Sequence, residues 1–144
     1  MSPATERRAL QVAVTLAALV PLTFAIEGIA RGAGWLQHGP VTADLDSHFR
    51  YLSGIFLALG LAFASCIPII EKAGPRFFLL GAMVVSGGAA RAVSLFAVGH
   101  PSRGHLFGLA MELCVVPLLM LWQARVARRF TLPGRSNAAA PAIR

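Results

Sequence analysis

The stretch "FFLLGAMVVSGGAARAVSLFAV", residues 77–98, decides the fold. It carries one charge, Arg91, in an otherwise apolar run. About 20 such residues, at a helical rise of ~1.5 Å each, cross a hydrocarbon core roughly 30 Å thick. Three more runs belong to the same length class: residues 9–30, 51–70 and 106–122. Backbone amides in lipid must be satisfied within the helix that carries them. The expectation is therefore all-α: an integral membrane four-helix bundle forming one domain over residues 1–130, with helices at about 9–30, 51–70, 77–98 and 106–126.

Composition agrees with that reading. Hydrophobic residues make up 56% and charged ones 13%, against about 25% charged in soluble domains, and the mean hydropathy is +0.68. Four helices leave these 144 residues no stretch for a soluble catalytic domain. The first run has a rival reading as a secretory signal, because Arg7 and Arg8 precede an apolar stretch ending Thr23-Phe24-Ala25. The run is longer than a usual signal core and lacks the small residue three positions before the cleavage point.

Basic residues set the expected orientation. With both termini cytoplasmic, the inner side carries Arg7, Arg8, Lys72, Arg76, Arg125, Arg128, Arg129, Arg135 and Arg144, and the outer loops carry Arg31, Arg50 and Arg103. The net charge of +7 then reads as a topology signal with some attraction to anionic lipid, and no nucleic-acid partner is expected. The same bias argues against a dual-topology exporter. The end of the chain, 131–144, reads as a disordered cytoplasmic tail.

The inner loop "EKAGPR" is a tight turn whose Gly-Pro pair starts the third helix. The first outer loop, "RGAGWLQHGPVTADLDSHFR", supplies Trp35 as an interfacial anchor and Asp46 or Ser47 as the expected N-cap of the second helix. Gly99 and Pro101 are placed to end the third. His38, His48, His100 and His105 fall in outer loops with Asp44 and Asp46, but they lack metal-ligand spacing, so no metal and no cofactor is expected. Cys66 and Cys114 read as small core residues too far apart for a disulfide.

Arg91 lies about ten residues before the turn at Pro101-Ser102, and Glu112 about ten after it. In an antiparallel pair, equal offsets mean equal depth, where an unpaired charge costs about 2.5–3.5 kcal/mol on insertion scales. A salt bridge between them is the expected arrangement. Glu27 has two readings, a surface pair with Arg31 or an inward position joining Arg50, Arg91 and Glu112. The second makes Glu27, Arg50, Arg91 and Glu112 the lining of an outward-facing pocket. Small residues repeat every fourth position through Gly54, Ala58 and Ala62, and through Ala82, Ser86 and Ala90, and read as packing seams.

These residues carry a resemblance. "FRYLSGIFLALGLAF" at 49–63, "GGAARAVSLFAVGHPS" at 87–102 and the glutamate of "LAMELCVV" resemble the bacterial membrane proteins grouped as domain of unknown function 4345. The shared pattern falls on Arg50, Gly54, Arg91, Gly99, Pro101 and Glu112, over roughly residues 10–126. Ser53 and Ala90 stand where that pattern has glycine. The resemblance implies four helices in a bacterial inner (plasma) membrane and no established activity.

Three kinds of function remain open. One is a structural or accessory subunit that docks through small-residue faces, as a homo-oligomer or on a protein partner, with membrane lipid around it. Another binds or transforms a lipophilic small molecule in the polar pocket. The third is an oligomeric ion- or proton-coupled transporter. With no recognisable catalytic group beside Arg91 and Glu112, the balance leans away from an enzyme.

Overall fold

The computed structural model describes residues 1–36 and 39–131. They form four helices: α1 (Pro3–Arg31), α2 (Ala43–Cys66), α3 (Gly74–Val98) and α4 (Arg103–Thr131). Each is long and apolar enough to cross a membrane, and there is no strand among the described residues. Of the expected tail, 131–144, Thr131 is helical and the rest lies outside the described residues, as does His38.

The helices begin earlier than the apolar runs do. α1 starts at Pro3, whose missing N–H costs nothing in a first turn, and so takes Arg7 and Arg8 into the helix. α2 starts at Ala43, and the expected cap at Asp46 or Ser47 is corrected to Thr42, whose hydroxyl accepts from the Leu45 N–H at 3.3 Å. Asp46 is engaged elsewhere, as described below. α3 starts at Gly74-Pro75 as the Gly-Pro pair implied, and it ends at Gly99, where φ of 114° suits only glycine.

The described residues divide into two compact units. One is Gln11–Pro68, the greater part of α1 with α2. Its two helices run antiparallel, with Gly28 against Ser53 and Phe49, and Gly60 against Leu22. A Cβ on Gly60 would come within 2.9 Å of the Leu22 Cδ2, so the glycine lets the two helices approach without displacing that side chain. Near the far end Gln11 donates to the Ile67 carbonyl at 2.8 Å, satisfying one exit of α2.

The other unit joins Met1–Leu10 to the chain from Ile69 onward, and so contains α3 and α4. Leu10, Ile70, Phe77, Leu119 and Val126 are buried in it. Between membrane helices such burial is not a hydrophobic gain, because lipid tails are as apolar as leucine; it stabilises through close packing. Gln123, 3% exposed, donates to the Ile70 carbonyl at 2.8 Å and so pins the turn before α3 onto α4. The start of α1 is fastened to the end of α4 by Glu6, which forms ion pairs with Arg125 at 3.0 Å and Arg129 at 2.7 Å, while Arg7 pairs with Glu71 at 2.9 Å.

α4 is not uniform. Residues Met111–Val115 form a π turn in which the Val116 N–H reaches back five residues to the Met111 carbonyl. Pro117 follows at once. It cannot donate to the carbonyl four residues back and its ring crowds that carbonyl, so a widened turn ahead of it relieves both problems.

Candidate functional site

The π turn carries Glu112. Gly88 of α3 lies directly beneath it: a Cβ there would stand 2.8 Å from both the Glu112 Cβ and the Leu113 Cδ2. That close approach brings Arg91, one turn further along α3, to the carboxylate. Arg91 Nε donates to Glu112 Oε2 at 3.0 Å and Nη2 donates to Oε1 at 3.1 Å, a two-toothed pair. The Glu112 side chain is 11% exposed and that of Arg91 36%. Equal distance from the α3–α4 turn, read from the sequence, is what puts these two at one level. Their pairing cancels both charges where lipid would solvate neither.

The two other candidates sit in the α1–α2 unit, and each has a local partner. Glu27 pairs with Arg31 at 3.4 Å, both side chains about half exposed. Arg50 is a clasp. Its Nε donates to Asp46 Oδ2 at 2.7 Å, and its Nη1 donates to the Ile29 and Ala30 carbonyls at the end of α1. A guanidinium there meets the unsatisfied carbonyls and the negative pole of the helix together. Asp46 completes the clasp by accepting from the Ala33 N–H at 2.9 Å. Gly32, at φ 67°, turns the chain at this point, where a Cβ would collide with the Arg50 and Asp46 side chains.

Around the clasp Trp35 packs on Phe24, with ring centroids 5.6 Å apart, and Arg31 lies 5.7 Å from the Trp35 ring. An aromatic with a cation beside it suits the membrane surface. Among the described residues no group of three or more His, Cys, Asp or Glu stands close enough to hold a metal ion. Both cysteines are free; Cys66 is buried, whereas Cys114 is exposed on the π turn and not a core residue as expected.

The anticipated seams also differ from the packing. The glycines in close contact are Gly28, Gly60, Gly81 and Gly88, whereas Ala58, Ser86 and Ala90 are exposed and nothing lies within 4 Å of a Cβ placed on Gly54 or Gly87. Spacing alone does not say which of several small faces turns inward. The clasp and the Glu6 cluster were missed for another reason: their partners lie far apart in sequence, and only the i,i+4 spacing of Asp46 and Arg50 was a local signal.

Four membrane-length helices with a buried charge pair between two of them define a small multi-pass membrane protein. The chain belongs to the family described as domain of unknown function (DUF4345), whose profile matches residues 9–123. No curated protein and no solved structure matches it.

Proposed function

We propose that this protein is an accessory subunit of a bacterial inner membrane, with both termini cytoplasmic, that docks on a transmembrane helix of another protein. The observation that carries this reading is that α2 and α3 each leave a small-residue face unused. Ala58 on one helix, and Ser86 and Ala90 on the other, are exposed, and a Cβ on Gly54 would meet nothing within 4 Å among the described residues. Small side chains are what let membrane helices approach closely. No more than 22% of the apolar window of any span is buried within the chain, so large helix faces stand available to lipid or partner. The local partners of Glu27 and Arg50 support the same reading, since each charge is accounted for by helix-end chemistry.

Ala58→Leu and Ser86→Leu test it, because both positions are exposed. Wild-type protein carrying a photo-crosslinker at Ala90 should yield a discrete larger adduct containing a second protein, and the leucine variants should lose the co-purifying partner. An adduct of twice the chain's own mass would assign the face to a second copy. Cross-links to lipid alone would overturn the docking reading.

A further inference from the structure

The Arg91–Glu112 pair leaves part of the guanidinium unused. Arginine has five N–H donors. Glu112 takes the side edge, Nε and one hydrogen of Nη2. The end edge, made of Nη1 and the other Nη2 hydrogen, has no acceptor among the described residues, and the side chain is 36% exposed. Unmet donors at this depth are costly, since lipid tails offer no acceptor.

The surroundings leave room. A Cβ on Gly108 would find nothing nearer than the Arg91 Cζ, 4.0 Å away, and one on Gly87 would find nothing within 4 Å. The hydroxyl of Ser94, one turn along the exposed side of α3, has no hydrogen-bond partner among the described residues, whereas Ser86 and Ser53 each return theirs to the carbonyl four residues back. Three observations thus converge on one spot: a free donor edge, a free hydroxyl near it and open space over glycine.

Charge and depth select the occupant. Glu112 already cancels the charge of Arg91, so an anion entering the site would remain uncompensated, while a neutral oxygen with two lone pairs can accept from Nη1 and Nη2 together. Arg91 lies seven residues inside the end of α3 at Val98, roughly 10 Å at the helical rise. With the end of α3 placed at the polar surface, that depth falls in the apolar layer, where acceptors come chiefly as parts of apolar molecules.

The geometry points to a lipid-facing binding site in which the end edge of Arg91, beside Ser94 and over Gly108, holds the neutral carbonyl oxygen of a lipophilic molecule. The carbonyl belongs either to an acyl ester of the surrounding phospholipid or to an embedded ketone or quinone. Glu112 is the positioning residue: it fixes the guanidinium plane and leaves the end edge facing outward. The site borders the Ser86 and Ala90 face, but its test changes neither Ala58 nor Ser86, so its failure and that of the docking reading are read separately.

Isotope-edited infrared spectroscopy tests it. The full chain is reconstituted in diether phospholipid, which contains no ester carbonyl, with a long-chain ketone carrying a ¹³C carbonyl as probe. Wild type should shift a saturable fraction of the probe band, one carbonyl per chain, to lower frequency. Gly108→Leu, which covers the edge and keeps the ion pair, should lose that fraction. Arg91→Met/Glu112→Met, which removes the donors without leaving a lone charge, should lose it as well. Repeating the titration in diester phospholipid distinguishes the sources: suppression of the ketone signal identifies the lipid ester as occupant, and an unchanged signal identifies an embedded carbonyl compound. A band in wild type no different from that in either variant would overturn the proposal.

Discussion

At the residue scale, Arg91 and Glu112 show how much one position in lipid constrains. Each is expensive alone, and each makes the other tolerable. Replacing either by methionine should destabilise the protein by about 3 kcal/mol, the scale for stranding one partner of a buried pair. Replacing both should recover most of that loss, giving a coupling energy of about 1–3 kcal/mol in a double-mutant cycle. Reversible unfolding in mixed micelles measures it, and single effects that simply add would mean that the pair contributes nothing. The clasp at Arg50 predicts a different outcome. Its bonds to the carboxylate, in the first turn of α2, and to the carbonyls, at the end of α1, are exposed, so Asp46→Asn should cost only about 1 kcal/mol, near the ordinary worth of a hydrogen bond. Hydrogen exchange at the Ala33 amide should show the loss locally. Protection there equal to wild type would remove Asp46 from that role.

At the element scale, the four helices were legible because lipid demands long apolar runs, and that signal survives without any knowledge of packing. Their ends were less legible. Hydropathy marks where the apolar run stops, but α1 and α4 continue through polar turns because Glu6, Arg125 and Arg129 satisfy each other across the pair of helix ends. The π turn escaped the sequence reading altogether, although Pro117 was its visible cause. Register along α4 depends on it: the widened turn sets the rotation at which Glu112 meets Arg91. Pro117→Ala restores a donor for the carbonyl four residues back and allows an ordinary α turn. The coupling energy between Arg91 and Glu112 should then fall by half or more in the same cycle. Undiminished coupling would show that the ion pair, and not the proline, maintains the π turn.

At the scale of the whole chain, charge placement and ion pairing converge on topology. Glu6 holds Arg125 and Arg129, so the start of α1 and the end of α4 lie at one end of their unit. An even number of crossings requires the same. That end also carries Arg8, Arg76 and Arg128, whereas the opposite turn, before α4, carries Arg103. The bias of basic residues toward the cytoplasm is the ground for the proposed inward orientation of the clustered end. The sign of this bias was readable from the sequence, but the acidic residue that keeps so many arginines together was not, since Glu6 looked like a flanking charge. Two measurements follow. Glu6→Gln should weaken the fastening of α1 to α4 by about 1 kcal/mol, the upper range for ion pairs whose arginines stay exposed, seen as faster proteolysis near residue 8 in detergent. In a background lacking Cys66 and Cys114, cysteines placed at Ser2 and at His100 should react with an impermeant maleimide from opposite faces of sealed vesicles, Ser2 from the cytoplasmic side. Labelling of both from one face would refute an even number of crossings, and reversed labelling would refute the inward orientation while leaving the fastening by Glu6 intact.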